Sequence, residues 1–393
     1  MSQHVAAGRT GVTAASGFEA AGVAAGLKAT GALDLAVVRN LGPRFEAAAV
    51  FTTNRVFAAP VGWSRAALAD RRLVAVVLNS GGANAGTGAA GRDDAAQTAA
   101  AAADHLGCLP MDVGLCSTGL IGARLPMPQL LAGVAEAVGR LGTGGGAAAA
   151  EAIMTTDTRP KTAVRTGPEG YTVGGMAKGA GMLAPGLATM LAVVTTDAEV
   201  ERTELDEALR QATRTTLERA DSDGCMSTND TAIAMASGAS RVHPPLTSLV
   251  TTLTEVCEDL ARQLIADAEG AEHEIAVEVV GAATEADALE VARTVARSNL
   301  FKCAIAGNDP NWGRVLAAVG TTQAAFAPDE IDVYLNGVPV CQQSSIGADP
   351  AQVDLRPRQV QVRIDLHAGS EAATIWTNDL THGYVSENAD YSS

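Results

Sequence analysis

The sequence predicts an α+β sandwich, and three observations carry that expectation. Through the first two thirds of the 393 residues, apolar runs of strand length alternate with alanine-rich or amphipathic segments of helical period. The last third is strand-rich, with an Asn336-Gly337 pair suited to a tight hairpin turn. Hydrophobic residues make up 47% of the chain but aromatics only 3%, so Ala, Val, Leu and Ile must close the core. Mixed element order ending in hairpins favours layered sheets over one doubly wound parallel sheet.

The elements follow in order. Phe45 to Thr52 and Leu73 to Leu78 are apolar runs with the length of buried strands. Asp93 to Leu106 is an alanine-rich helix, Val113 to Cys116 a short strand, and Gln129 to Leu141 a second helix. Gly142 to Ala150 is low in complexity and is expected as a flexible surface connection. Gly174 onward reads as a glycine-rich loop ending at Thr189, where the strand-like run Met190 to Val194 begins; Asp197 closes that strand. Glu204 to Arg219 has an amphipathic helical period, Ala232 to Ala236 suits a strand, and Thr247 to Asp267 a long helix. Ile275 to Val280 is a strand and Glu285 to Arg297 a helix. Asp332 to Leu335, Val360 to Asp365 and Thr374 to Thr377 are late strands.

Composition excludes several classes. Acidic residues outnumber basic ones by 44 to 28, a net charge of −16, which repels nucleic acid and anionic membrane; neither is expected as a partner. No run of 18 apolar residues is present and Met1 to Thr10 lacks a signal-peptide core, so a cytoplasmic protein is expected. The cysteines (108, 116, 225, 257, 303, 341) form no C-x-x-C pair and the histidines no ligand spacing. No metal and no cofactor is expected.

Thr189 is the leading candidate for chemistry. It follows Ala188 at the end of the glycine-rich stretch, where a Thr hydroxyl suits attack on the carbonyl before it. Cleavage between Ala188 and Thr189 exposes an α-amine of pKa ~7.7–8.0, able to serve as base for its own hydroxyl. The plainer alternative is a β-branched residue opening a strand. Cys116-Ser117-Thr118-Gly119 ends a strand at a glycine turn, as an oxyanion hole requires and as ordinary turns also do. Met154 to Lys161 packs hydroxyls and charges into a run that suits either a polar pocket or a helix cap. Lys178 suits a substrate carboxylate only if Thr189 is the nucleophile. Gly86, Gly88 and Gly91 fit G-x-G-x-x-G, yet Asn79 to Ala85 separate them from the strand, which weakens a nucleotide-binding reading. Gly307 to Arg314 reads as a capped helix start.

Taken together, these segments resemble one family. Lys178-Gly-Ala-Gly-Met-Leu-Ala-Pro-Gly-Leu-Ala-Thr189-Met-Leu, Cys116-Ser-Thr-Gly-Leu-Ile-Gly122, Met154-Thr-Thr-Asp157, Ser227-Thr-Asn-Asp230, Asp309-Pro-Asn-Trp-Gly-Arg314 and Asn388-Ala-Asp-Tyr-Ser-Ser393 are similar to the ornithine acetyltransferases. These are the self-processing glutamate N-acetyltransferases of arginine biosynthesis. The resemblance runs from Gly11 to Ser393 and implies an αββα-type sandwich like that of the β-aminopeptidases. It implies self-cleavage between Ala188 and Thr189 into an α chain (1–188) and a β chain (189–393), assembled as an α2β2 heterotetramer. It further implies that Thr189 is the nucleophile and that Thr118 with Gly119 forms the oxyanion hole. Thr155, Lys178, Thr189, Glu269, Asn388 and Ser393 match the family's substrate contacts, with N-acetylornithine and glutamate as substrates. Taken alone, Glu269 reads as a solvated helix-end acid and Asn388 to Ser393 as a frayed tail. Gly86, Cys303 and Glu272-His273 depart from the family's usual residues. An aminopeptidase or amidase with the same acyl-enzyme, an acetyl-CoA donor, and a paralogue acting on related amino acids are all compatible with the pattern.

Overall fold

The computed structural model describes residues 8–184 and 190–390. In chain order, the first unit contains β1 (Phe18–Val23), β2 (Leu35–Asn40), β3 (Glu46–Phe51), α1 (Ala59–Ala67), β4 (Ala75–Asn79), α2 (Gly88–Leu106), β5 (Val113–Ser117) and α3 (Met127–Gly139). It continues with α4 (Gly146–Ala152), β6 (Lys161–Thr166), β7 (Thr172–Lys178), β8 (Leu191–Thr196), α5 (Arg202–Thr215), β9 (Thr231–Ala236) and α6 (Leu246–Ala266). Two sheets result, one ordered β1-β2-β4-β5 and the other β3-β9-β8-β7-β6.

Side-chain alternation along the strands explains why these sheets stack. Val38, Val76 and Leu78 of the first sheet and Met176, Val193, Ile233 and Met235 of the second point inward and form one buried cluster. Their neighbours point outward. Val37 and Val77 meet Ala99, Ala102, Leu130 and Val134 of α2 and α3. Val194 and Ala232 meet Leu205, Leu209, Val256 and Leu260 of α5 and α6. Helix, sheet, sheet, helix is thus an αββα sandwich, and sheets covered on both faces explain the continuous apolar runs of β4, β8 and β9.

The second unit carries β10 (Glu274–Ala282), α7 (Glu285–Ala296), α8 (Asn299–Ala306), α9 (Trp312–Val319), β11 (Asp332–Leu335), β12 (Val338–Gln342), β13 (Ser345–Ile346), β14 (Gln359–Asp365) and β15 (Glu371–Asn378). Its sheet runs β13-β12-β11-β14-β10-β15, and helices α7 and α9 pack on a core of Val277, Val279, Val362 and Ile364. Asn336 and Gly337, at φ 45° and 83°, make the β11–β12 turn. The Thr284 hydroxyl caps α7 by accepting from Asp287 N at 3.1 Å. A last helix, α10 (His382–Asp390), returns to the end of α6.

Three expectations are corrected. Gly142 to Ala150 is not a flexible surface connection: Gly146 to Ala152 is helix α4, with Ala149 and Ala150 fully buried against β1 and β2. Runs of small residues there serve close packing rather than freedom. Gly174 to Lys178 is not loop but the end of β7; a Cβ on Gly174 would lie 2.1 Å from Gly11 O, so glycine lets another backbone cross the strand. Helix α2 starts at Gly88 rather than Asp93, because Asn84 Nδ2 donates to Gly91 O (2.9 Å) and Thr87 Oγ1 to Asn84 Oδ1 (2.8 Å). The G-x-G-x-x-G glycines are therefore a helix start. Among the described residues, no helix is long and apolar enough to cross a membrane.

Candidate active site

Four strand ends meet at one edge of the sandwich. β5 delivers Thr118 and Gly119, β7 delivers Lys178, the chain resumes at Met190 just before β8, and Asp230 directly precedes β9. Lys178 lies across from Leu191 in the β7–β8 ladder, and Leu191 pairs with Thr231 of β9. Ala188, Thr189 and Ser393 lie outside the described residues. Met190, which follows Thr189, is tied down by Asp230 Oδ1 at 3.2 Å from its N–H and by Thr231 N on its carbonyl at 3.1 Å.

The Thr118-Gly119 turn is built to hold donors in place. Thr118 N donates to Asn79 O (2.9 Å) and Gly82 N donates to Thr118 O (3.0 Å), so the backbone amide of Thr118 is already used. Asn229 Nδ2 donates to both Ser117 O (2.8 Å) and Ala83 O (2.7 Å), stitching the turn to the segment before β9. Gly119 has φ 123°, and a Cβ there would sit 2.6 Å from Gly82 N. Only glycine fits. Lys178 Nζ donates to Thr118 Oγ1 at 3.2 Å, which leaves the hydroxyl proton directed elsewhere. The Thr118 hydroxyl proton and the Lys178 ammonium are thus donors gathered at this turn.

Charge surrounds this turn at depth. Lys178 and Asp157 are buried, with Nζ and Oδ2 4.0 Å apart. Burial pulls the Lys178 ammonium below its usual range, against the attraction of Asp157. Burial alone would raise Asp157, but Lys178 and Lys161 outweigh it and hold the carboxyl at about 2. Asp230 is the opposite case: burial pushes it well above the carboxylate range, only partly countered by the Met190 N–H. Burial likewise raises Asp223 to about 6, although it accepts from Cys225 N and Met182 N.

Other residues singled out by the sequence connect to Lys178 through Asp157 and the segment before β6. Thr155 N donates to Asp157 Oδ2 (2.9 Å), which faces Lys178. Glu269 is half-buried rather than solvated: Oε1 accepts from Thr156 Oγ1 (2.8 Å) and Oε2 from Asn388 Nδ2 (2.9 Å). Asn388 stands on α10 rather than on a frayed tail. Lys178 thus joins Thr118 directly and Thr155 through Asp157, and Glu269 joins Asn388 to Thr156, the residue after Thr155, while Arg314 binds Leu300 O on the surface of the second unit. Of the departures from the family pattern, His273 is buried between Asp379 (Nδ1–Oδ2 2.7 Å) and Leu355 O (Nε2 3.0 Å), and Cys303 is exposed.

Asp157, Lys161, Asn229 and Asp230 were not singled out one by one from sequence. The available signal was the density of Thr, Asp and Asn in Met154 to Lys161 and Ser227 to Asp230, each followed by an apolar strand. Among the described residues, no group of three or more His, Cys, Asp or Glu is arranged to hold a metal ion.

Comparison with known proteins bears on this arrangement. A sequence model of the ArgJ family matches residues 19–393. The arginine biosynthesis bifunctional protein ArgJ of Streptomyces coelicolor is 59% identical over 382 residues, covering 97% of this chain and 100% of that protein. The protein of the same name from Streptomyces avermitilis is 60% identical over 382 residues, with the same coverage of 97% and 100%. A crystal structure of ornithine acetyltransferase from Mycobacterium tuberculosis, complexed with ornithine, is 56% identical with a TM-score of 0.45, covering 46% of this chain and 96% of that one. With a family match from residue 19 to the last residue and such identity across whole relatives, this chain belongs to the ArgJ family.

Proposed function

We propose that this protein is a self-processing N-acetyltransferase of arginine biosynthesis, moving acetyl from N2-acetylornithine to glutamate through an acetyl-threonine intermediate. Membership of the ArgJ family supports the activity. The structural observation that carries it is the Lys178–Thr118 contact at 3.2 Å, where β5, β7 and the start of β8 converge.

The Thr189 hydroxyl attacks the Ala188 carbonyl, the peptide C–N bond breaks to leave an ester and a free amine, and water hydrolyses the ester to give chains of residues 1–188 and 189–393. The freed α-amine of Thr189 takes the proton from its own hydroxyl, and the oxygen attacks the acetyl carbonyl of N2-acetylornithine. The Thr118 hydroxyl and the Gly119 N–H receive the oxyanion. The C–N bond breaks, the leaving nitrogen takes the proton, and ornithine departs. The amine of glutamate then attacks the acetyl ester by the same steps in reverse order, regenerating Thr189. Both amino acids carry an α-carboxylate, which suits Lys178 and Thr155 as contacts in both half-reactions. Glu269 suits the side-chain ammonium of ornithine, with Asn388 and Ser393 closing the site. The word bifunctional in the relatives' names supports acetyl-CoA as a further acetyl donor to the same threonine. Cytoplasmic α2β2 assembly completes the proposal.

The deciding experiment is Thr189→Ala. It should migrate as one band near 39.8 kDa on a denaturing gel and transfer no acetyl. The wild type should show two bands of about half that size, with acetyl recovered on the residue 189–393 chain after mixing with N2-acetylornithine. Equal processing of both proteins overturns the role of Thr189. Ornithine release that ignores glutamate indicates an amidase instead.

A further inference from the structure

Asp157 takes no part in the steps above, yet it is the most connected charged group at the site. Oδ1 accepts from Lys161 Nζ (2.6 Å) and Gly179 N (2.7 Å), while Oδ2 accepts from Thr155 N (2.9 Å) and lies 4.0 Å from Lys178 Nζ. Thr155 and Lys178 come from separate segments, and this one carboxylate touches both. Lys161 Nζ also binds Asp267 Oδ2 at 2.5 Å, two residues before Glu269, and Thr158 N donates to the same oxygen at 3.0 Å. From this geometry we propose that Asp157 is a positioning residue that sets Thr155 and Lys178 in register and keeps Lys178 charged for the substrate's α-carboxylate. The inference rests on the proposed substrate contacts of Thr155 and Lys178.

A buried ammonium loses its proton readily unless an anion faces it. The groups facing Lys178 are Asp157 and Lys161 from the segment before β6, Asp230 before β9, and Glu269 after α6. Asp157 opposes the loss and Lys161 promotes it, so the two should act in opposite directions. Asp157→Asn keeps the size of the side chain and removes the anion. The Lys178 ammonium then titrates at lower pH, and the grip on carboxylates weakens. Lys161→Gln removes the repelling cation instead. Lys178 then holds its proton to higher pH. A merely structural role predicts the same kind of damage from both.

The test is the pH profile of acetylation by N2-acetylornithine in a single turnover, with KM for both substrates in the steady state. Asp157→Asn should raise both KM values about tenfold and move the alkaline fall of the profile down by about one pH unit. Lys161→Gln should move that fall upward. Combining Asp157→Asn with Lys178→Arg, whose guanidinium stays charged without help, should restore the alkaline limb. Shifts of the same sign in the two single variants, or no shift, overturn the inference. If Asp157→Asn does not fold, the upward or absent shift of Lys161→Gln still decides it. Lys178→Met separates the levels. Unchanged KM values there sink the substrate-contact reading and this inference together, whereas raised values with no Asp157 effect sink this inference alone.

Discussion

In the six-stranded unit, β14 alternates strictly between open and covered positions, and the cluster around Val277, Val279, Val362 and Ile364 is apolar throughout. In the sandwich, β4, β5, β8 and β9 are covered along their whole length, and the same depth holds Asp157, Lys161, Lys178 and Asp230. Taking an ion out of water costs several kcal/mol, which pairing offsets only when geometry and hydrogen bonds are good. The first unit accepts that cost where its strand ends converge, whereas the second unit keeps its buried His273, Lys302 and Asp379 outside the apolar cluster. The difference teaches that stability and chemistry have been placed in different parts of the chain, so substitutions should separate them.

The largest effect expected from this contrast is on stability. Ile364→Ala, in the apolar cluster of the second unit, should cost about 2–5 kcal/mol in chemical denaturation while leaving kcat/KM per folded molecule unchanged. A matching loss of kcat/KM would break the separation. Thr118→Val comes next, removing a proposed oxyanion donor. Acetylation of Thr189 should slow by ~10²–10³, equivalent to ~2.7–4 kcal/mol, with Thr118→Ser keeping most of the rate. Equal losses in Val and Ser variants would point to packing rather than donation. The smallest effect concerns an exposed pair. His367 Nε2 lies 3.0 Å from Asp332 Oδ2, and that hydrogen bond raises the imidazole above its usual value. A base raised in the folded state contributes stability that is complete below the unfolded pKa of about 6.5 and is lost as pH rises through the folded one. His367→Gln should therefore lower the unfolding free energy slightly at pH ~5.5, by less than about 1 kcal/mol, and not at pH ~9. A deficit that persists at high pH would mean that the contact works by packing.

What could be seen in the sequence follows the same division. β10, β11, β14 and the Asn336-Gly337 turn were legible because one face of that sheet is open, so apolar and polar residues alternate. β1, β2, β6 and β7 were not. Phe18-Glu-Ala-Ala-Gly-Val23 and Thr172-Val-Gly-Gly-Met-Ala-Lys178 are short of branched residues because backbones and helices press on them closely. At the candidate site, Thr118, Gly119, Lys178, Glu269 and Asn388 were singled out through motif resemblance. Asp157 and Asp230 gain their character from burial and from partners such as Gly179 N and Met190 N, which no local pattern records. The helix α4 was hidden for a related reason: alanine and glycine runs look the same whether they are loose or tightly packed.

The order β3-β9-β8-β7-β6 has a consequence for any scission at 188/189. The strands after the cut, β8 and β9, are clasped by β3 on one side and by β7 and β6 on the other, with six register pairs between β7 and β8 alone. Dilution would not part the two pieces, since every backbone rung between them would have to break at once. A piece synthesised without its counterpart would bare raw strand edges and tend to aggregate, so the pieces must be born joined, or meet while still unfolded.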